Sequence, residues 1–437
     1  MENDNRGNNY FDLASIQQPN KTEKQQGNEK KGMFAYGIIV GLASAFLIVS
    51  VVYVGTRLQE LVGKKADAEV QEVVLPEESS ISPEMLQKLE LLEKTIDNYF
   101  YLKEMSEEEL NEGIYRGLIE ALEDPYSEYY TAEELNELMT ETEGIYYGIG
   151  AYVSLDAETS LPKISGVMEG TPAEEAGLRA NDLIYEVSGE TTYGLSLSEA
   201  VALIKGEEGT EVVLTLIREG ENGYLEIPVT RRRVESPTVH FEMLDEETAY
   251  IQIVEFDEVT IDQFAEALAM AKGSDMKGLI LDLRANPGGS LNAVVEMARM
   301  LLPKGIIVYT EDKHGKKVEY TCDGKRELDT PLVVLIDMNS ASAAEIMAGA
   351  IQDYGIGTLV GTTTFGKGIV QQVIPFSDGS AVKLTISSYF TPNGRNIHGT
   401  GIEPDVECEF DGEAYYSEER YDSQLEKAKE VLKEKME

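Results

Sequence analysis

Apolar residues recur along the chain in several rhythms, and each rhythm predicts a different kind of structure. Residues 33–55, MFAYGIIVGLASAFLIVSVVYVG, are apolar throughout and carry no charged side chain. At helical rise they reach ~34 Å, enough for a bilayer core, so they predict a transmembrane helix. A cleaved secretory signal is the alternative. Against it stand the long polar leader, the length of the apolar run, and an A-x-A (Ala43 to Ala45) that lies mid-span. The leader, 1–32, reads as disordered, and 56–80 as a charged linker.

From Ser82 to about Glu143 the apolar positions Leu86, Leu89, Leu92, Ile96, Leu110, Ile114, Leu118 and Leu122 fall at helical spacing, with Pro125 and Tyr126 interrupting. This predicts a helical segment over 81–143, its acidic run SEEELNE being a helix start and a solvated face. Over 144–233 the pattern changes to short strands and glycine turns, such as YYGIGAYV, DLIYEVSGE and TEVVLTLIREG. Five strands with one helix-like insert predict a small, partly open β-barrel. Over 234–410 strands and helices alternate, and runs such as LILDL and LVVLID are continuously apolar, as a sheet covered on both faces requires. An α/β core is expected there, followed by a charged helix over 411–437. The fold class is thus multidomain, mixing α+β and α/β parts.

Charge narrows the function. Asp and Glu number 80 against 37 Lys and Arg, a formal net charge of -43. Such a surface repels nucleic acid and anionic lipid, so no nucleic-acid partner is expected. The two cysteines, Cys322 and Cys408, are too few for a disulfide framework and lack zinc-ligand spacing. Two inert thiols are favoured over one disulfide, and neither metal nor cofactor is expected. Basic residues flank the apolar run almost evenly. A cytoplasmic N-terminus with the bulk outside the membrane is favoured because so short a leader cannot hold the active domains.

The candidate chemistry begins with GTTTFGKG, residues 361–368. It resembles a phosphate-binding loop, but Gly368 stands where a hydroxyl must hold Mg²⁺, and the following IVQQVIPF reads as a strand rather than a helix. In α/β sheets functional groups gather beyond the carboxyl ends of strands. Three loops fit that place: RANPGG (284–289), NSASAAE (339–345) and TFGKG (364–368). Ser342 with Glu345 three residues on is a capping box on one view. On the other it is a nucleophile at a helix mouth, where free N–H groups can hold an oxyanion. A base is then required. The histidines are His240, His314 and His398, and none has a nucleophile-elbow context.

A neutral lysine can serve instead. Lowering its pKa from about 10.4 to about 7 costs roughly 4.6 kcal/mol and demands desolvation without a carboxylate partner. Lys367 suits this, with no acidic residue near it in the sequence. Gln371, four positions on, falls on the same side and can hold the amine by a hydrogen bond. The turn Asn286-Pro287-Gly288-Gly289 can bring backbone N–H groups to a substrate carbonyl.

DLRANPGG (282–289), NSASAAEIMAGA (339–350), TFGKGIVQ (364–371) and SYFTPNGRNIHGTGIEPD (388–405), in this order, resemble the carboxyl-terminal processing peptidases. These are serine endopeptidases of the tail-specific type that use a Ser/Lys dyad and carry a PDZ domain. The resemblance spans ~82 to ~408 and implies a core of the crotonase-like type. It implies Ser342 as nucleophile, Lys367 as general base, Gln371 as its positioner, and the amides of Gly288, Gly289 and Ala343 as oxyanion hole. Ala344 stands where the family often has a second Ser, and Ser340 is the rival hydroxyl. The β-rich segment looks like the PDZ domain. Gly148, Ile149, Gly150 and Ala151 then resemble its carboxylate-binding loop, and Asn181 replaces a common glycine that precedes Asp182. Lys205 is the nearest match to an arginine that links peptide binding to catalysis in some relatives.

The resemblance further implies protein or peptide substrates with apolar C-termini, and self-association through the flanking helices. A binding module on the same frame, a PDZ scaffold with a degenerate hydrolase domain, is the rival. The triple of Ser342, Lys367 and Gln371 argues against it.

Overall fold

The computed structural model describes residues 81–417 and 420–437. It divides into two compact units, one ending at Leu89 and the other running from Glu90 to Glu437. The membrane span expected at 33–55 lies outside the described residues. Among those described, no helix is long and apolar enough to cross a membrane.

The N-terminal helices are α1 (Pro83–Tyr99) and α2 (Glu107–Glu120). Helix α2 starts where SEEELNE predicts: Ser106 Oγ accepts from Glu109 N–H at 3.1 Å, and Glu109 Oε2 accepts from Ser106 N–H at 2.8 Å. Neither helix has a buried residue in this chain. The interruption at Pro125 and Tyr126 proves to be more than a break. It leads into an unforeseen strand, β1 (Glu128–Tyr130), which pairs antiparallel with Ala381–Lys383 far along the chain. The pairing was hidden because only three residues take part and their partners lie in another domain's sequence.

Helix α3 (Ala132–Glu143) follows and stops at Gly144, whose φ of 69° an L side chain rarely adopts. Then come the strands β2 (Ile145–Gly148), β3 (Ala151–Leu155) and β4 (Pro162–Val167), a short α4 (Pro172–Glu175), β5 (Leu183–Val187), β6 (Glu190–Thr191), α5 (Leu197–Ile204), β7 (Glu211–Ile217), β8 (Leu225–Thr230) and β9 (Arg232–Glu235). The sheet order is β3-β4-β5-β7-β8 with β6 beside β5, and β2 pairs with β9. Six strands in one sheet, with a separate two-stranded pairing of β2 and β9, replace the five expected from the pattern. Ile164, Ile184, Leu214 and Leu216 are fully buried in its core. Asn181 takes the left-handed conformation foreseen for it, φ 73°.

The α/β part contains β10 (Val239–Met243), β11 (Thr248–Ile253), α6 (Glu258–Gly273), β12 (Gly278–Asp282), α7 (Leu291–Ala298), β13 (Gly305–Asp312), β14 (Lys317–Cys322), β15 (Leu332–Ile336), α8 (Ala343–Tyr354), β16 (Gly357–Gly361), β17 (Ile369–Pro375), β18 (Ala381–Phe390), β19 (Val406–Glu407), α9 (Gly412–Tyr415) and α10 (Ser423–Met436). The main sheet runs β10-β11-β12-β15-β16-β19, parallel from β11 onward. Its apolar runs serve two faces. Leu279, Leu281, Val334 and Leu359 pack into the core that holds the buried residues of α6, α7 and α8, whereas Ile280, Val333, Leu335 and Val360 pack against Ala428, Val431 and Leu432 of α10. A second sheet, β1-β18-β13-β14 with β17 beside β18, completes the domain. Cys322 and Cys408 are both free thiols.

A buried ion pair ties α10 to the sheet. Arg284 donates to Asp282 and to Asp422, with side-chain exposures of 15%, 1% and 15% respectively. Tyr250 donates to the same Asp282 at 2.7 Å. Arg284→Met leaves Asp282 buried without its cation, so a stability loss of about 3–5 kcal/mol is expected in denaturant titration. A loss below ~1 kcal/mol contradicts the role given to this pair.

Candidate active site

Parallel strands β12, β15 and β16 carry the three loops singled out above beyond their carboxyl ends, so the loops meet at one edge of the sheet. Ser342 stands at the mouth of α8 with φ 54° and ψ −112°, a conformation that costs a non-glycine residue roughly 1–3 kcal/mol. Its surroundings hold it there. Its carbonyl accepts from Ile346 N–H at 3.0 Å and from the buried Tyr389 hydroxyl at 3.1 Å. Its N–H donates to Glu345 Oε2 at 2.9 Å. The hydroxyl itself makes no capping hydrogen bond, although its position relative to the Glu345 amide is that of a capping box. The box is closed by the Ser342 N–H on Glu345, and Ser342 lines the cleft. Capping and the functional view are compatible.

Glu345 does more than cap. It is fully buried, and its carboxylate also accepts from Thr364 Oγ1 at 2.6 Å, Gly366 N–H at 2.8 Å and Lys367 N–H at 2.9 Å. Thr364 Oγ1 in turn accepts from Ile402 N–H at 2.7 Å. One carboxylate thus binds the backbone of Ser342 and the backbone of Lys367. An acid set among Ala, Ile and Met in AAEIMAGA was the signal for a buried acceptor, but capping alone explained its spacing.

Lys367 is half-buried, and its Nζ lies 4.5 Å from the centre of the Tyr126 ring. Burial pushes its amine below the ordinary lysine range, the charge of Lys383 adds to this, and Asp124 opposes it. Burial acts on Lys383 in the same sense, but hydrogen bonds with Tyr130 and Glu128 outweigh it and hold that amine charged. The expectation that no acid lies near Lys367 is corrected in space. The loop before β1 brings Asp124 close, though that carboxylate is occupied by Ser127 Oγ at 2.6 Å and Tyr126 N–H at 3.1 Å. Among the described residues no ion pair or hydrogen bond joins Lys367 Nζ to Asp124 or to Ser342 Oγ. Catalytic hydrogen bonds of unliganded sites are often long and tighten with substrate.

The other expected site residues fall as follows. Gln371 faces the same cleft, and its amide donates to Thr385 Oγ1 at 3.3 Å rather than to Lys367. The Gly288 N–H is taken up by Asn286 Oδ1 at 2.8 Å, an engagement that the NPGG spacing does not reveal. Among the described residues no backbone hydrogen bond is made by the amides of Gly289 and Ala343, and both residues line the cleft with Ser342. Gly288 has φ 110°, and a Cβ there would meet Ser342 Cβ at 2.7 Å, so only glycine lets the turn approach. Ser340 is fully buried, and its hydroxyl donates to Leu283 O at 2.8 Å, which removes it as the rival. No histidine lines the cleft.

Ser342, Ala343, Gly289, Lys367, Gln371 and Tyr126 line one cleft of ≈ 1580 Å³, whose other side is formed by Tyr146, Tyr152, Met168 and Lys205 of the β-rich domain. Lys205 lies 5.7 Å from the centre of the Tyr146 ring. Gly148 ends β2, and in the loop that follows Ile149 is buried in the domain core while Gly150 takes φ 79° against Thr171; Ala151 opens β3.

An α/β domain presenting a serine and a half-buried lysine to a cleft shared with a β-rich domain defines the class of PDZ-bearing serine peptidases. Known proteins agree with it. The profile of peptidase family S41 matches residues 247–408, a PDZ domain profile matches 163–218, and that of the activating protease CtpB N-terminal domain matches 38–134. The carboxy-terminal processing protease CtpA of Bacillus subtilis is 37% identical over 310 residues, 71% of this chain and 66% of that protein. The carboxyl-terminal-processing protease of Synechocystis is 37% identical over 292 residues, 66% of this chain and 68% of that protein. The chain spans about two thirds of the length of these relatives. The solved photosystem II D1 C-terminal processing protease is 30% identical, with a TM-score of 0.44 over 72% of this chain and 86% of that one. This chain belongs to the carboxyl-terminal processing proteases of peptidase family S41.

Glu345 accepts from two donors on each oxygen, so Glu345→Gln turns an amide NH₂ toward two of them. A stability loss of about 2–4 kcal/mol is expected, with proteolysis falling at least about tenfold because Ser342 and Lys367 lose their common anchor. Thermal unfolding and peptide cleavage check both; a fully active variant contradicts the anchor.

Proposed function

We propose that this protein is a membrane-anchored serine endopeptidase that selects substrates by their C-terminal tails and hydrolyses peptide bonds with Ser342 and Lys367. The observation that carries this is the shared attachment of both residues to Glu345, beside one cleft. Neutral Lys367 takes the proton from Ser342 Oγ as Oγ bonds to the scissile carbonyl carbon. The developing oxyanion is received by the amides of Gly289 and Ala343. Collapse of the tetrahedral intermediate breaks the C–N bond, and Lys367 gives its proton to the leaving amine. Water, deprotonated in the same way, then hydrolyses the acyl-enzyme. Gln371, which donates to Thr385 Oγ1 and lines the cleft with Lys367, positions the lysine.

The β-rich domain binds the substrate tail by strand addition, its carboxylate against the loop Gly148 to Ala151, with Lys205 between that loop and the cleft. Apolar C-termini suit this mode. The apolar run 33–55 anchors the chain in the cell membrane with the catalytic part outside the cytoplasm. Net charge of -43 keeps these domains from binding nucleic acid.

Ser342→Ala and Lys367→Ala are each expected to abolish cleavage of an unstructured protein with an apolar tail, by at least about 10³-fold, without loss of the folded state. Cleavage unchanged in both sinks the mechanism. In the wild type, activity rises with pH as Lys367 deprotonates. Because burial lowers its pKa, the rise comes below the pH where an ordinary lysine titrates. A flat profile from acid to mildly alkaline pH contradicts Lys367 as base.

A further inference from the structure

The Ser/Lys mechanism places a positive charge on an amine that, among the described residues, forms no ion pair with a carboxylate. When Oγ of Ser342 bonds to the carbonyl carbon, its proton moves to Lys367 Nζ, which becomes an ammonium in a half-buried site until it protonates the leaving amine. Around it the cleft is also lined by Glu137, Glu141 and Glu255. Lys383 on β18 is held charged by Tyr130 and Glu128. Asp124 is engaged by Ser127 Oγ and Tyr126 N–H, and Glu345 is engaged by four other donors. Gln371 donates to Thr385, and the backbone of His398 packs on Gly368 while its side chain is exposed. Asp257, pushed up to about 7 by burial with Glu255 and Glu258 adding, lines the same cleft. What meets Nζ directly is the face of the Tyr126 ring, 4.5 Å away.

We propose that Tyr126 is a positioning residue for the base: its ring face seats Lys367 in the ammonium form and releases the neutral amine toward Ser342. An aromatic quadrupole attracts the cation and not the free amine, so the ring discriminates between the two protonation states that the reaction alternates. It does so without a carboxylate, which would keep the lysine charged throughout. Its own placement is built for this. Asp124 fixes the Tyr126 backbone, Ser127 Oγ accepts from Thr385 N–H at 3.2 Å, and pairing of β1 with β18 carries the loop onto the site.

This inference rests on the Ser342/Lys367 mechanism, and one experiment separates the two. The full-length protein is prepared with Tyr126→Phe as reference and with the same substitution carrying one, two or three ring fluorines. Fluorination weakens the quadrupole at nearly constant shape, and the acid limb of kcat/KM for a peptide substrate is recorded alongside thermal unfolding. Losing the ring's hold on the ammonium lowers the lysine pKa, so the limb is expected to move stepwise to lower pH, by about half to one unit across the series. A limb that stays in place or moves upward, in variants as stable as the reference, overturns the inference while Ser342→Ala and Lys367→Ala remain inactive. If those two variants cleave like the wild type, the dyad itself fails and the inference falls with it.

Discussion

The site depends on a carboxylate that has no cation. Glu345 is buried in an apolar helix, and no arginine or lysine side chain pairs with it; its charge is met by backbone N–H groups and one threonine hydroxyl. Such charge-assisted bonds are worth roughly 1.5–3 kcal/mol each, and losing any leaves a buried charge short of partners. The carboxylate therefore holds the mouth of α8 and the loop before β17 at one fixed separation. The strained backbone of Ser342 is tolerable because this clamp and Tyr389 determine it from both sides.

The same clamp explains how a lysine can be kept from pairing. Glu345 takes the backbone N–H of Lys367, and Asp124 is hydrogen-bonded within its own loop, so neither acid forms an ion pair with the amine. Desolvation and the fixed charge on Lys383 then lower the pKa of the amine, with Asp124 pulling the other way. The net charge of -43 makes this local arrangement more notable, because acids are excluded from contact with one amine in a strongly acidic protein.

Much of this was legible in the sequence, for local reasons. Apolar runs marked the strands of the parallel sheet, and the loops beyond them had to gather at one edge, so Ser342, Lys367 and the NPGG turn could be brought together before any coordinates. What was not legible arises from long-range pairing or from side-chain geometry. Pro125 and Tyr126 read only as a helix break, because the three residues of β1 that follow pair with a strand some 250 positions on. The hydrogen bond from Gly288 N–H to Asn286 Oδ1 depends on side-chain geometry that the NPGG spacing does not show. Ser340 and Ser342 are both hydroxyls near a helix start; the helix mouth and the spacing to Lys367 favour Ser342, and the burial of Ser340 agrees.

The most direct test of the central claim is the rate at which a fluorophosphonate labels Ser342 across pH, in the wild type and in Lys367→Ala. Labelling needs only the nucleophile and its base, so it is independent of tail recognition. Modification at Ser342 alone is predicted, with a rate that rises through one ionisation below the ordinary lysine range and with no measurable labelling in Lys367→Ala. Labelling of Ser340, or a rate that survives loss of Lys367, would contradict the account.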